Sequence, residues 1–413
     1  MKSYYLFLLL ILFPVLLMGK NEIKGTFEYD VNANLFKADL SLKIERTALK
    51  NDTLIYRLNT KANISELKGN QIISHDFSKL CRIGNSRANF LIIIVDTTAI
   101  STHFEFSLKY TIPEYTNYIH REHWFEIHSE KSTFPYMYGM KHDWALKLKM
   151  PKDFTIVSDA ELVQITDTDY NYKLPNSTAG PAIFGGDRII KKQYPDSKYP
   201  NLKIYSYFDE YGMMDSINHY IVKVLDFYDK TFAANKKRSD FTFMIVPYIH
   251  NYSFQRENFA MYRYFHQGDR FMKNKLSNLS TVFHEIGHLW WHNAPGNTYD
   301  NWLNESFAEY FSMLAIRDVF GEEIYNKEIK HIRNNANNYG PIIEFKSPYT
   351  TILYRKGAYI VHELHQKLGY DKFINFSKNL IDLEIASVDA CIDLLNKKYD
   401  PEIADWLYKR LRE

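Results

Sequence analysis

Two histidines four residues apart, His284 and His288, stand in the run Thr281-Val282-Phe283-His284-Glu285-Ile286-Gly287-His288-Leu289-Trp290. On a helix of 3.6 residues per turn they share one face, so both imidazoles can reach one metal ion. Glu285 follows His284 and points a little aside, where it can hold a water on that ion instead of the ion itself. A catalytic zinc takes three protein ligands and keeps one position open for that water. His284 and His288 give two. Glu305, in the downstream run Asn301-Trp302-Leu303-Asn304-Glu305-Ser306, is the candidate third. The chemistry such a set could do is metal-assisted hydrolysis. The bland alternative is a chance match to a five-residue pattern. The flanks argue against it. Val282, Phe283, Ile286, Leu289 and Trp290 are apolar, as a buried helix requires, and polar groups among them need a partner.

The rest of the chain bounds the setting. Its 413 residues suggest two or three domains. Apolar content of 46% and charged content of 24% fit a soluble globular protein. A net charge of +2 gives no electrostatic case for nucleic acid or an anionic membrane surface. The two cysteines, Cys81 and Cys391, are far apart and in no metal-type spacing, so buried free thiols are expected and a disulfide scaffold is excluded. Seven Asn-x-Ser/Thr sequons, one of them at Asn304, are read as chance. Lys2 precedes an apolar run from Tyr4 to Met18, which predicts a secretory signal over 1–19 and a secreted or periplasmic protein. That run, broken by Pro14, is shorter than the ~20 residues of a spanning helix. Leu17 makes a poor cleavage site, so an uncleaved membrane anchor is the alternative. No other segment is long and apolar enough to span.

Strand signals fill residues 20–201. Phe27 to Ile44 reads as two alternating runs around Asn32-Ala33-Asn34. Phe90 to Val95, His103 to Tyr110 and Trp144 to Met150 are further strands. Period-two alternation between turn residues predicts a largely antiparallel β domain. Pro195 and Pro200 mark the boundary, and 202–413 forms the second domain. It opens with strands at Leu202 to Phe208 and Phe241 to Val246 around a helix from Asp215 to Phe232, with the Tyr228 hydroxyl near its edge. Helix signals dominate from Leu276. Ser277 or Ser280 is the expected cap of the histidine helix. Glu305 to Val319 is the next helix, and short helices run from Asp371 to Arg412, broken near Pro401. The expected fold class is α+β: an antiparallel β domain, then a mainly helical domain with a small sheet.

His284-Glu285-x-x-His288, a spacer, then Trp302-Leu303-Asn304-Glu305-x-Phe307-Ala308 resembles the aminopeptidase N family of zinc metallopeptidases. The resemblance implies a thermolysin-like catalytic domain, one catalytic zinc on His284, His288 and Glu305, and a peptide substrate. The spacer of sixteen residues, 289–304, is shorter than the family's, and Ser306 replaces its usual glycine. Tyr354-Arg355-Lys356-Gly357 is similar to the family's Tyr-x-Lys-Gly block, which implies that Tyr354 stabilises the tetrahedral intermediate. Tyr349 and Tyr359 are the fallbacks. Phe254-Gln255-Arg256-Glu257-Asn258 stands where the family has Gly-x-Met-Glu-Asn. The resemblance therefore implies substrate binding by Glu257, on the free amine, and Asn258, although the glycine and methionine are lost. His292 replaces a family glycine and is given a subsite or surface role. The sequence ends at Glu413, without the large C-terminal helical domain of larger relatives, which predicts a more open groove.

The expected mechanism has Glu285 as general base and then proton donor. Glu309, four residues after Glu305, is the candidate orienter of a ligand histidine, and Asp300 is expected to be a solvated carboxylate. The expected activity is removal of N-terminal residues from peptides, with Glu257, aided by Glu126, on the amine. Internal cleavage is the alternative within the same chemistry. A non-catalytic binding module is the alternative outside it.

Overall fold

The computed structural model describes residues 21–413 apart from 50, 84–85, 99–100, 116–123, 138, 167–168, 196, 210–211, 233–240, 247–252, 257, 264–274, 297, 337 and 344–349. The predicted signal over 1–19 therefore lies outside the described residues, as does Glu257.

The N-terminal half is sheet. At Asn34 the backbone takes φ 48°, a left-handed conformation that asparagine tolerates, and this turn joins Glu22–Asp30 to Leu35–Glu45. Along Leu35–Glu45 every second residue is buried: Phe36, Ala38, Leu40, Leu42 and Ile44. These two strands sit inside a seven-stranded sheet. Its order is Glu161–Ile165, Asp169–Ser177, His142–Lys149, Glu22–Asp30, Leu35–Glu45, His103–Pro113 and Asn63–Lys68. One pair departs from the antiparallel expectation, because Glu22 to Glu28 runs parallel to Asp143 to Lys149. A second sheet of Thr53–Asn59, Ser86–Val95 and Ile72–Ile83 shares the same core.

Two smaller sheets connect this half to the helices. Thr155–Ser158, Ile183–Gly186 and Trp124–Ile127 form one. The other is five-stranded, in the order Ile190–Gln193, Lys203–Ser206, Thr242–Val246, Phe259–Arg263 and Phe254–Arg256, parallel in its centre and antiparallel at both edges. Val157, Ala182 and Phe184 pack on Met244, Val246, Phe259 and Met261, so the two sheets share one small core. The strands on either side of residue 201 are neighbours in the second of them.

The helices are α1 (Met213–Phe232), α2 (Lys275–Gly287), α3 (Trp302–Phe320), α4 (Glu322–Ala336), α5 (Ala358–Leu368), α6 (Tyr370–Asp382), α7 (Val388–Lys398) and α8 (Pro401–Arg410). α3 is the central helix, buried on all sides from Trp302 to Ile316 apart from Glu305 and Glu309, with Trp302, Phe307, Phe311 and Leu314 in the core. Ser387 caps α7 through the Ala390 N–H. Asp400 caps α8, whose first residue is Pro401. Ser277 and Ser280 do not cap α2; they lie inside it, because the helix already begins at Lys275. Cys391 is a buried free thiol on α7. No helix among the described residues is long and apolar enough to cross a membrane.

One polar cluster in this helical core sets a response to acid. His365 is buried, 2.6 Å from the Tyr310 hydroxyl, with its ring stacked on Phe373. Burial, helped by Arg317 and His362, lowers its pKa to about 4. Burial also lowers His142 to about 4. The folded protein keeps both rings neutral at pH values where the unfolded chain, with histidine near its ordinary value of about 6.5, protonates them. The unfolded state then binds more protons, so stability is lost as pH falls from about 6.5 to about 4. Thermal melts across that range are expected to show a falling midpoint, with a shallower fall in His365→Leu. Equal slopes for the two proteins would contradict the assignment.

Candidate metal centre

The site depends on how closely α2 approaches α3. The apolar face of α2, Leu279, Val282, Phe283 and Ile286, is fully buried. Each such side chain stabilises the fold by roughly 1.5–3 kcal/mol. Gly287 permits the close approach. A Cβ there would lie 2.7 Å from the Tyr228 hydroxyl oxygen and 3.3 Å from the Cα and Cβ of Ala308. Tyr228 is itself fully buried and stacked on Trp290, so its hydroxyl points into the core and not to the edge of α1. Gly287→Ala is expected to force the helices apart, at a cost of about 1–3 kcal/mol, and to weaken metal binding with it. Thermal melts with and without zinc check this; an unchanged midpoint would show that Tyr228 can give way.

The chain then tightens and turns. The His288 N–H still bonds the His284 carbonyl (3.3 Å), but Leu289 and Trp290 bond Ile286 and Gly287 in a narrower turn. That turn brings the Trp291 carbonyl back to His288 Nδ1, at 2.9 Å. Asn304 is buried and its amide bonds both the N–H and the carbonyl of Ala294, which holds the loop to the start of α3. The sequon at Asn304 is thus a packed structural amide.

Three ligand atoms converge. His284 Nε2 and His288 Nε2 are 3.1 Å apart, and Glu305 Oε2 lies 3.3 Å and 3.5 Å from them. Among the described residues this is the one group of three whose ligand atoms all lie within 4.8 Å of one another. The hydrogen bonds behind the rings decide what these atoms are. A carbonyl only accepts, so His288 Nδ1 carries the proton it gives to Trp291. His284 Nδ1 is 2.9 Å from a carboxylate oxygen of Glu309, which also accepts. With each neutral ring protonated on Nδ1, both Nε2 atoms face inward as lone pairs, beside a carboxylate oxygen. Three acceptors at this separation need a positive partner between them, a proton on one of the rings or a metal cation, and a metal cation fits all three at once. Two histidine nitrogens and one carboxylate oxygen are also a typical zinc donor set.

The electrostatics agree with a cation site. Burial opposes charge on His284, but hydrogen bonds to Glu305 and Glu309 outweigh it and raise its pKa well above the ordinary value. His288 is raised in the same way, with Glu305 overcoming burial. For Glu305 burial works against ionisation, yet the two histidines hold its pKa far below the usual carboxylate range. Glu285 is buried and carries no such bond. Burial raises its pKa, partly offset by His284 and His288. The Tyr354 ring meets His284 edge-on at 5.1 Å between centroids. Burial and the charges of Glu305, Glu285 and Glu309 raise its pKa well above 10, so the phenol keeps its proton.

The structure thus brings together His284, Glu285, His288, Glu305, Glu309 and Tyr354. Asn258 is exposed at the turn between the edge strand Phe254–Arg256 and its inner neighbour Phe259–Arg263, where its carbonyl accepts from the Thr242 N–H. Tyr349 lies outside the described residues, and the Tyr359 ring faces His362 at 5.8 Å, away from His284's partner Tyr354. His292 is exposed, with Nδ1 donating to the His288 carbonyl. Asp300 is not a solvated carboxylate: it accepts from the Val388 N–H (2.8 Å) and the Thr298 hydroxyl (2.9 Å), pinning α7 to the start of α3. Glu126 is fully buried, 3.0 Å from the Lys131 ammonium and 3.3 Å from His128. Sequence reasoning missed Ser306 and Lys356 as contacts behind Tyr354. Ser306 donates to the Leu353 carbonyl, and the Lys356 ammonium to the carbonyls of Tyr339 and Gly340.

The comparisons with known proteins agree with this geometry. Residues 217–400 match the model of the peptidase family M1 domain. Endoplasmic reticulum aminopeptidase 2 from Homo sapiens is 24% identical over 171 residues, which is 37% of this chain and 18% of that protein's length. The chain therefore corresponds to under a fifth of that relative. The fold is similar to native leukotriene A4 hydrolase from Saccharomyces cerevisiae, with a TM-score of 0.64 at 14% identity over 94% of this chain and 67% of that one. It is similar to the M1 zinc metallopeptidase from Deinococcus radiodurans, with a TM-score of 0.64 at 11% identity over 95% of this chain and 93% of that one. The sequence match contains the whole histidine and glutamate set, so residues 217–400 are similar to the peptidase family M1 domain, on a fold shared with the M1 zinc metallopeptidase along nearly the full chain.

Proposed function

We propose that this protein is a zinc-dependent peptidase that removes N-terminal residues from peptides. The observation that carries the zinc chemistry is the convergence of three lone-pair donors, His284 Nε2, His288 Nε2 and Glu305 Oε2, with Glu285 buried beside them. These three would hold a single zinc ion. Bound there, the ion would supply a Lewis acid for the scissile carbonyl and lower the pKa of water toward ~7. Glu285 takes the proton of the attacking water, because burial makes it a stronger base than an ordinary carboxylate. It then gives that proton to the departing amine. Tyr354 stays protonated and donates a hydrogen bond to the developing oxyanion, an interaction worth roughly 2.7–4 kcal/mol in comparable sites. Glu309 and the Trp291 carbonyl orient the two imidazoles by their Nδ1 protons.

Aminopeptidase action is supported by the named activity of the human relative and rests on Glu257 as the amine ligand. One observation favours internal cleavage as the second reading: Glu126, the other carboxylate considered for the amine, is engaged by Lys131. Mass spectrometry of one peptide, with and without an acetylated N-terminus, separates the two. Stepwise trimming of the free peptide alone supports the first reading. Internal cuts in both forms replace it with the second, and no cleavage of either by zinc-loaded protein overturns both. The apolar run before Gly19 supports export through a signal peptide, which N-terminal sequencing of protein recovered outside the cytoplasm would test.

A further inference from the structure

The turn that carries Tyr354 is not an ordinary helix. Leu353–Gly357 forms a π turn, in which the Ala358 N–H reaches back five residues to the Leu353 carbonyl. Such a turn inserts one residue into the helical register and so re-aims the side chains before it relative to α5. It is poorer in hydrogen-bond geometry than an α-helix, so something outside must favour it. α3 contacts both of its ends. The buried Ser306 hydroxyl donates to the Leu353 carbonyl at 2.8 Å, and Trp302 Nε1 donates to the Gly357 carbonyl at 3.3 Å. Trp302 and Ser306 are four residues apart, hence on one face of α3. Gly357 leaves room for this contact: a Cβ there would fall 2.1 Å from Ser306 Oγ. The residue before Ser306 is Glu305. One helix therefore sets the position of the third metal-ligand candidate and the register of the turn bearing the phenol.

We infer that Ser306 is a positioning residue for the hydrolytic reaction: its hydroxyl fixes the π turn so that Tyr354 meets the oxyanion. The inference rests on the peptidase reading and on the role given there to Tyr354. Ser306 is not one of the three converging ligand residues, and its effect passes through the Leu353 carbonyl. Removing the hydroxyl leaves that carbonyl its bond from Ala358, so the fold is retained while the turn loosens.

The test is a double-mutant cycle of Ser306→Ala and Tyr354→Phe on zinc-loaded protein, with kcat and KM on one peptide, zinc content, thermal midpoint, and hydrogen exchange of the 353–368 segment. Ser306→Ala is expected to lower kcat about tenfold, since small misplacements of a reacting group carry costs of this order. KM is expected to stay within about twofold, zinc content full and the midpoint near the parent's. Exchange in 353–368 is expected to quicken while that of α2 stays unchanged. In the Tyr354→Phe background the same change is expected to alter kcat by less than about twofold, because the phenol it serves is gone. A tenfold loss in both backgrounds, a loss of zinc, or unchanged exchange overturns the inference. A Tyr354→Phe protein as active as the parent removes the role of Tyr354 itself, which is a separate failure from that of Ser306. Exchange is read without any substrate, so inactivity toward the chosen peptide does not spare the inference from its test.

Discussion

Glu285→Gln is expected to keep its zinc and lose roughly 10²–10⁴ in kcat, the range that a general acid–base contributes. The side chain is 7% exposed, follows a ligand candidate, and makes none of the contacts that hold His284 or His288 in place. Glutamine is nearly isosteric and can still hydrogen-bond a water, but it cannot accept the water's proton or return one to the leaving amine. The change should therefore act on the chemical step and leave substrate affinity close to the parent's, so that kcat and kcat/KM fall together. Metal analysis of the purified variant beside its kinetics is the check. Full zinc with less than a tenfold loss would move the general base elsewhere. Lost zinc would make Glu285 a structural part of the metal centre. Persistence of the protein's biological activity in an otherwise inert variant would instead favour a binding role for the fold.

What could be read from the sequence was what local spacing encodes. His284 and His288 meet because a helix brings residues four apart onto one face, and Glu309 follows Glu305 by the same rule. The strands of the β half showed through alternation, as along Leu35–Glu45. Their partners did not, since nothing in alternation tells Glu22 to Glu28 to run parallel to a segment over a hundred residues away. The same limit hid the contacts that shape the site. Ser306 reaches Leu353 across 47 residues, and Asp300 reaches Val388 across 88. Arg256 bonds the Gly180 carbonyl and Ser129 across 76 and 127 residues, tying the edge strand Phe254–Arg256 to the β half. The sense of each contact was also hidden. Asp300 read as a solvated carboxylate because its type favours water, yet the Val388 N–H of a distant helix claims it. A π turn has no composition of its own, so the register that aims Tyr354 belongs to tertiary packing against α3.

The two carboxylates of α3 should separate cleanly when each is removed. Glu305→Ala deletes one of three converging donor atoms and leaves the two Nε2 atoms, 3.1 Å apart, without the carboxylate oxygen beside them. Two imidazoles alone hold zinc too weakly to keep it through dialysis, so the variant is expected to be metal-free and inactive, and added zinc should not restore it. Glu309→Gln is a milder change. It removes the acceptor behind His284 and loosens the ring's orientation and tautomer, but every donor to the ion remains. Second-sphere losses of this kind weaken metal affinity by 10–100-fold, so activity should return as zinc is raised by about that factor. Thermal melts give an independent reading, because a ligand that binds only the folded state stabilises it by about 4 kcal/mol at a thousandfold excess over Kd. The parent should show a large zinc-dependent rise in melting temperature, Glu309→Gln the same rise displaced to higher zinc, and Glu305→Ala none. Zinc retention by Glu305→Ala comparable to the parent would mean that another group completes the site, and Glu309, whose carboxylate already reaches the other nitrogen of His284, would be the first place to look.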